Sequence, residues 1–259
     1  MAAYGYELAG ALRAGKTVLT AWSALPEAGF VGMLAGAGFD AVTLDMQHGG
    51  HHEASIWDGV AAVLLRRVPA IVRVPVGRFD MASRALDFGA DAVIAPMINS
   101  VEDAQALAAF TKYPPLGERS WGPTRAISLR GVEGGNAYLH RANTETLVFA
   151  MIETRAALDA LEGILDVEGI DAVFVGPADF SIAFTDGERL DPALDAMMDA
   201  VADIAARATG RGKLAGIFAA DPAMAPRYAQ MGYRLIAAGF DAAIVNRGAQ
   251  AVLSAARGG

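Results

Sequence analysis

The 259-residue chain has no cysteine, which excludes a disulfide framework and a thiolate-held zinc, and nothing in it calls for an oxidising compartment. Positive charge is scarce. Against 29 Asp and Glu there are 21 Lys and Arg, a formal net charge of -8, so no broad basic face can release counterions from a nucleic acid. Long hydrophobic runs are missing too. None approaches membrane-spanning length, and the opening MAAYGYELAGALRAGKTVLT is interrupted by glycine and charge where a signal peptide would be continuously apolar. The expectation is a soluble, cytoplasmic protein acting on small molecules.

What the chain does have is 54% hydrophobic residues and 29 glycines, a composition suited to a large buried sheet with many short turns. Apolar runs rich in Val, Ile and Leu fall at 17–22, 41–46, 70–75, 92–97, 146–153, 172–177, 214–219 and 234–239, separated by Ala-rich stretches of helical period such as 54–66, 100–113 and 192–208. Each run is apolar at nearly every position, as in parallel strands covered on both faces. GFDAV (38–42), GADAV (89–93) and GIDAV (169–173) repeat one helix-to-strand turn. Eight strand–helix units in this length predict one (β/α)8 barrel over residues 1–259, with its active site at the carboxyl ends of the strands. A doubly wound sheet is the rival, but no glycine-rich phosphate loop follows the first strand. The connection 115–143, rich in glycine and broken by proline, reads as a long loop or lid.

Charged residues that end apolar strands at that side point into the shared mouth, where burying them needs a reason. Glu153 and Asp179 end neighbouring strands, and two carboxylates suit Mg2+ or Mn2+, which keep water or substrate oxygens in their other positions. Either carboxylate alone reads equally well as a helix cap or turn brace. Arg73, always protonated, can pair with a mouth carboxylate or hold a substrate carboxylate or a developing enolate. In TLDMQHGGHH (43–52), Asp45 and His48 read as an acid orienting a base, or as an ordinary loop with a capping aspartate. His51 and His52 read as solvated loop residues, and His140 as surface. The chain's three lysines, Lys16, Lys112 and Lys213, lie away from the carboxyl ends, which argues against a Schiff base.

Taken together, DMQHG (45–49), RVP (73–75), GADAVIAPMINSVEDA (89–104), GERSWGPTRA (117–126), IETRAALD (152–159) and VFVGPADFS (173–181) resemble the HpcH/HpaI family of class II pyruvate aldolases. The resemblance implies that Glu153 and Asp179 hold a divalent metal (Mg2+ or Mn2+, with Co2+ also suited) and that Arg73 stabilises the enolate. It further implies that His48, supported by Asp45, handles protons, and that Gly176, Pro177, Ala178, Phe174 and Met151 line the 2-oxoacid site. Gln47 replaces a glutamate common in the family, and Met151 a glutamine of the heptanedioate enzymes, which points to a subgroup using hydroxypyruvate as well as pyruvate. Family members are commonly hexamers, trimers of dimers, so the last helix, about 241–256, is expected to pack on a neighbour. The expected reaction is reversible aldol addition of a 2-oxoacid to an aldehyde. The alternatives are a lyase acting on a CoA thioester, of the citramalyl or malyl-CoA type, and a non-catalytic barrel that binds a ketoacid.

Overall fold

The structure is a computed structural model, and it describes residues 7–258. Eight strands form where the apolar runs stand: β1 (Val18–Ser23), β2 (Ala41–Asp45), β3 (Ala70–Arg73), β4 (Ala92–Ala95), β5 (Leu147–Ile152), β6 (Ala172–Val175), β7 (Leu214–Phe218) and β8 (Leu235–Phe240). Each pairs in parallel with the next and β8 returns to β1, closing a (β/α)8 barrel. Every residue of β2 to β6 is buried, because the helices cover one face and the barrel interior the other.

Alternation along each strand decides what reaches the mouth. Ile71 on β3, Phe149 and Met151 on β5 and Phe174 on β6 fill the interior, while Val72, Val148 and Val173 pack outward against helices. Continuing the inward series by steps of two puts Arg73, Glu153 and Gly176 at the carboxyl end. The amino end is plugged: Leu8, Ala9 and Leu12 of the helix Glu7–Arg13 join the interior cluster. Substrate access is thereby left to the carboxyl end.

The repeated GxDAV turn has a specific mechanical role. Asp40, Asp91 and Asp171 each grip one residue of the preceding strand by both its polar groups. The Asp40 carboxylate accepts from Leu19 N at 2.9 Å, that of Asp91 from Ala70 N at 2.8 Å and that of Asp171 from Val148 N at 2.9 Å. Their own amides donate back to the carbonyls of Leu19, Ala70 and Val148. The glycines serve different ends. Gly89 closes its helix in the left-handed region at φ 110°, whereas at Gly169 a Cβ would stand 3.1 Å from the Ala108 Cα.

The structure corrects the reading of 115–143 as a loop or lid. Helices occupy Thr124–Arg130 and Gly135–Glu145, around a small core of Tyr113, Ala126, Tyr138 and Ala142. Arg13 donates to Thr144 O, and the buried Lys112 ammonium donates to Asn143 O, Thr146 O and Asp171. Those bonds tie the segment to the plugged end of its own barrel, away from the mouth. The helices escaped sequence reading because few apolar positions mark them and glycines bracket them. His140 is exposed on the second, as expected.

Asp91 also receives Arg130 Nη1 at 2.9 Å, with both residues buried. Asp91→Ala would remove the buried carboxylate that faces that cation and is expected to cost about 3–5 kcal/mol. Asp40→Ala, at an exposed site, should cost about 1 kcal/mol. Urea midpoints at constant m-value measure both, and equal losses would deny the Arg130 pair its role.

Candidate active site

Asp45 and Arg73 are partners in the register of β2 with β3, so their side chains rise from adjacent positions on the inner face. Arg73 Nε and Nη2 reach the carboxylate at 2.8 and 2.6 Å, a bidentate pair. The Trp22 indole N–H adds a bond at 3.2 Å, and the amides of Gln47 and His48 add two more at 2.9 and 3.3 Å. Trp22 also stacks on the pair, its ring 4.9 Å from the guanidinium carbon. Burial pushes the Asp45 carboxyl up, but the bonds and charge of Arg73, with the Gln47 amide and the Trp22 indole, outweigh it and hold the group below the usual range.

This geometry corrects the expected acid–base pair. Asp45 holds the backbone of His48 and the guanidinium of Arg73, not the His48 ring, because five donors already occupy its two oxygens. His48 stands on the exposed rim of the mouth, on a turn drawn close to the end of β1. Gly50 N donates to Ala24 O at 2.7 Å, and a Cβ on Gly49 would lie 2.9 Å from the Ala24 Cα.

His51 is also misplaced by sequence reading. It is buried, its Nε2 and Nδ1 each 3.1 Å from a serine hydroxyl, Ser23 and Ser55. His52 is exposed but ordered: its ring accepts from Ser55 N and its amide donates to Ser55 Oγ, a capping box for the helix Glu53–Leu64. The sequence signal for His52 was the serine three residues after it, a capping-box spacing; no such signal marked His51.

Glu153 lies one residue beyond β5 and is buried. Its Oε1 accepts from Met97 N at 2.7 Å, and Met97 adopts a left-handed φ of 55° to offer that bond. Its Oε2 is buried with no partner among the described residues. Burial pushes the carboxyl up to about 7; the Met97 amide opposes this, the charge of Asp179 adds to it, and that of Arg73 opposes it. Glu153 is no helix cap, since Thr154 caps the helix Arg155–Asp159. Asp179 sits exposed in the first turn of the helix Pro177–Phe184. Gly176 leaves room between them: a Cβ there would stand 2.6 Å from Glu153 Oε2. An orphaned buried oxygen, a second carboxylate and a gap kept free of side chain fit an oxygen-preferring divalent cation.

A cavity of about 200 Å³ opens over these groups, and all ten residues expected from the sequence line it: Asp45, His48, Arg73, Met151, Glu153, Phe174, Gly176, Pro177, Ala178 and Asp179. Three lining residues were missed, Trp22, Phe218 and Phe240, as was the Met97 amide. The aromatics read as ordinary strand residues, and a backbone donor leaves no mark in sequence.

The sequence model of the HpcH/HpaI aldolase/citrate lyase family matches residues 19–247. The chain belongs to this family. A 4-hydroxy-2-oxovalerate aldolase of Novosphingobium aromaticivorans is 36% identical over 92% of this chain and 90% of its own length. A 4-hydroxy-2-oxo-heptane-1,7-dioate aldolase of Salmonella heidelberg (strain SL476) is 35% identical over 93% and 91%. Among solved structures, an HpcH/HpaI aldolase/citrate lyase family protein from Burkholderia cenocepacia J2315 superposes with a TM-score of 0.86 at 30% identity, covering 97% of this chain and 99% of that one. This HpcH/HpaI member is a carbon–carbon lyase of the aldolase type.

His51 yields a test of the loop. Burial holds its pKa down at about 4, against 6.5 for a free histidine, so the unfolded chain binds a proton that the native one refuses. Its contribution to stability is whole above pH 6.5 and is lost as the pH falls from 6.5 toward 4, by about 3 kcal/mol. His51→Gln, which cannot titrate, should flatten that part of the stability curve measured by urea midpoints at pH 4.5, 5.5 and 7. A variant curve parallel to the wild type would remove His51 as the cause.

Proposed function

We propose that this chain is a divalent-metal-dependent aldolase that joins the enolate of pyruvate or hydroxypyruvate to an aldehyde, and cleaves the product in reverse. The observation that carries it is the unpartnered Glu153 Oε2 beside Asp179, in the same cavity as the Asp45-held Arg73. Glu153 and Asp179 would hold the cation, with Mg2+, Mn2+ and Co2+ all suited to an oxygen donor set. Bound there, a divalent cation supplies Lewis acidity next to the 2-oxoacid. The backbone from Gly176 to Asp179, at the amino end of the helix Pro177–Phe184, seats the carboxylate of that acid.

Arg73 uses Nε and Nη2 on Asp45, which leaves Nη1 to donate to the substrate oxygen that gains charge as the C3 proton departs. His48, at the rim, moves that proton through water. The C3 electron pair then forms the new bond to the aldehyde carbon, the carbonyl pair moves to its oxygen, and a proton returned there completes the alcohol. Met151, apolar and packed beside Gly176, leaves space for the extra hydroxyl of hydroxypyruvate without the glutamine of the heptanedioate enzymes.

No lysine can form a Schiff base in this arrangement. Lys213 and Lys112 are held at the amino end, on the carbonyls of Val167 and Ile170 and on Asp171, and Lys16 lies between the plugging helix and β1. Borohydride with pyruvate should therefore leave no adduct, while chelation should abolish cleavage and Mn2+ restore it. Cleavage that survives exhaustive chelation, or a trapped adduct, would overturn the proposal. His48→Ala should lose turnover yet keep Mn2+ and pyruvate binding.

Gly176→Ala, which crowds Glu153 Oε2, is expected to weaken Mn2+ binding by about 10–100-fold in calorimetric titration. Unaltered affinity would place the cation elsewhere.

The homo-oligomeric assembly, a hexamer of exchanged helices, fits the final helix. In Asp241–Arg257 Asp241 alone is buried, and Val245, Val252 and Leu253 are exposed. No helix among the described residues is long and apolar enough to cross a membrane.

A further inference from the structure

In barrel order, the strands from β2 to β6 bring polar groups to the mouth: Asp45 and His48, Arg73, the Met97 amide, Glu153 and Asp179. The remaining arc is different. From β7, β8 and β1 it receives Phe218, Phe240 and Trp22. The Trp22 ring meets Phe218 edge-on at 5.2 Å and Phe174 at 5.8 Å, so the aromatic surface is continuous from Phe218 through Trp22 to Phe174, with Phe240 on the rim beside them. Among the described residues, Arg73 is the one lysine or arginine that lines the cavity, and two of its donor nitrogens are spent on Asp45.

We infer that the aromatic arc is the acceptor half of the site, that it takes an uncharged aldehyde lying against Trp22, Phe218 and Phe240, and that it discriminates against an aldehyde carrying a carboxylate. The inference rests on the 2-oxoacid donor reading above. The donor and its cation fill the polar arc, because that is where the carboxylates and Arg73 stand. The carbon that the enolate attacks must then come from the opposite side. A carboxylate there would shed water against three rings without gaining a cation, in a mouth that already holds three carboxyl groups and the donor's own. An apolar or hydroxylated chain meets no such penalty. The names of the two relatives differ on this point: a valerate product carries one carboxylate and a heptane-1,7-dioate two. Sequence identity does not separate them, at 36% and 35%. The cavity sides with the first.

The test uses the wild-type protein with Mn2+, pyruvate as donor, and two acceptors of matched length, pentanal and 4-oxobutanoate. The expected kcat/KM for pentanal is higher by about tenfold or more. Equal or reversed values overturn the inference. Deuterium exchange at C3 of pyruvate in heavy water, followed without any aldehyde, reports the donor half alone. Its absence removes the donor reading and the inference with it; exchange together with equal use of both acceptors removes only the inference. Phe240→Arg places a cation on the rim and should raise the ratio of 4-oxobutanoate to pentanal turnover by about tenfold. An unchanged ratio in a variant that still exchanges pyruvate counts against the aromatic arc. Where that variant fails to fold, the wild-type comparison decides.

Discussion

The Asp45–Arg73 pair joins the neighbouring strands β2 and β3 at the mouth, and the placing of the Trp22 indole and of the turn that carries His48 follows from it. Taking a guanidinium and a carboxylate out of water is costly, and their attraction repays that cost only where the remaining donors and acceptors are also satisfied. Here the carboxylate meets that condition by gathering the Trp22 indole and two loop amides as well as the guanidinium. In doing so it fixes the turn that carries His48 and stacks Arg73 over an aromatic ring. The pair orients the cation rather than adding to stability, and a lysine in its place would lose both the fork and the stacking.

Glu153 is the opposite case. Its surroundings leave one oxygen buried and, among the described residues, unpaired, and burial pushes its carboxyl up, a cost that the cation proposed above would offset. Two of the three carboxylates facing the cavity are thus set apart by environment: Asp45 is kept charged by a permanent partner, and the Oε2 of Glu153 has none among the described residues. The left-handed backbone at Met97 belongs with the second condition, since it delivers the hydrogen bond that holds the Glu153 carboxylate in place.

Much of this is legible in the sequence. Strands buried on both faces write themselves as unbroken apolar runs, so all eight were visible within a residue or two. A charge ending such a run, as at Arg73 or Glu153, stands out against it. Legibility failed where function is carried by groups without a distinctive letter. Trp22, Phe218 and Phe240 look like core, and the Met97 amide looks like nothing. His51 failed for another reason: a polar residue in a polar stretch gives no sign that Ser23, 28 positions away, will bury it. The direction of the Asp45 carboxylate was hidden because the register of β2 with β3 is a tertiary fact.

The aspartate clamps come in a period of two strands. They lock β1 to β2, β3 to β4 and β5 to β6, and the fourth pair departs from the rule: ahead of β8 the position is Arg234, whose amide donates to Ala215 O with no carboxylate to return the grip. The barrel therefore reads as four quarter-units, three riveted and one plain. The plain quarter is the one that carries Phe218 and Phe240. A change of residue there disturbs neither the rivets nor Glu153 and Asp179, so under the division of the mouth proposed above this quarter is where descendants of the scaffold can exchange one aldehyde for another while the groups assigned to the donor stay intact.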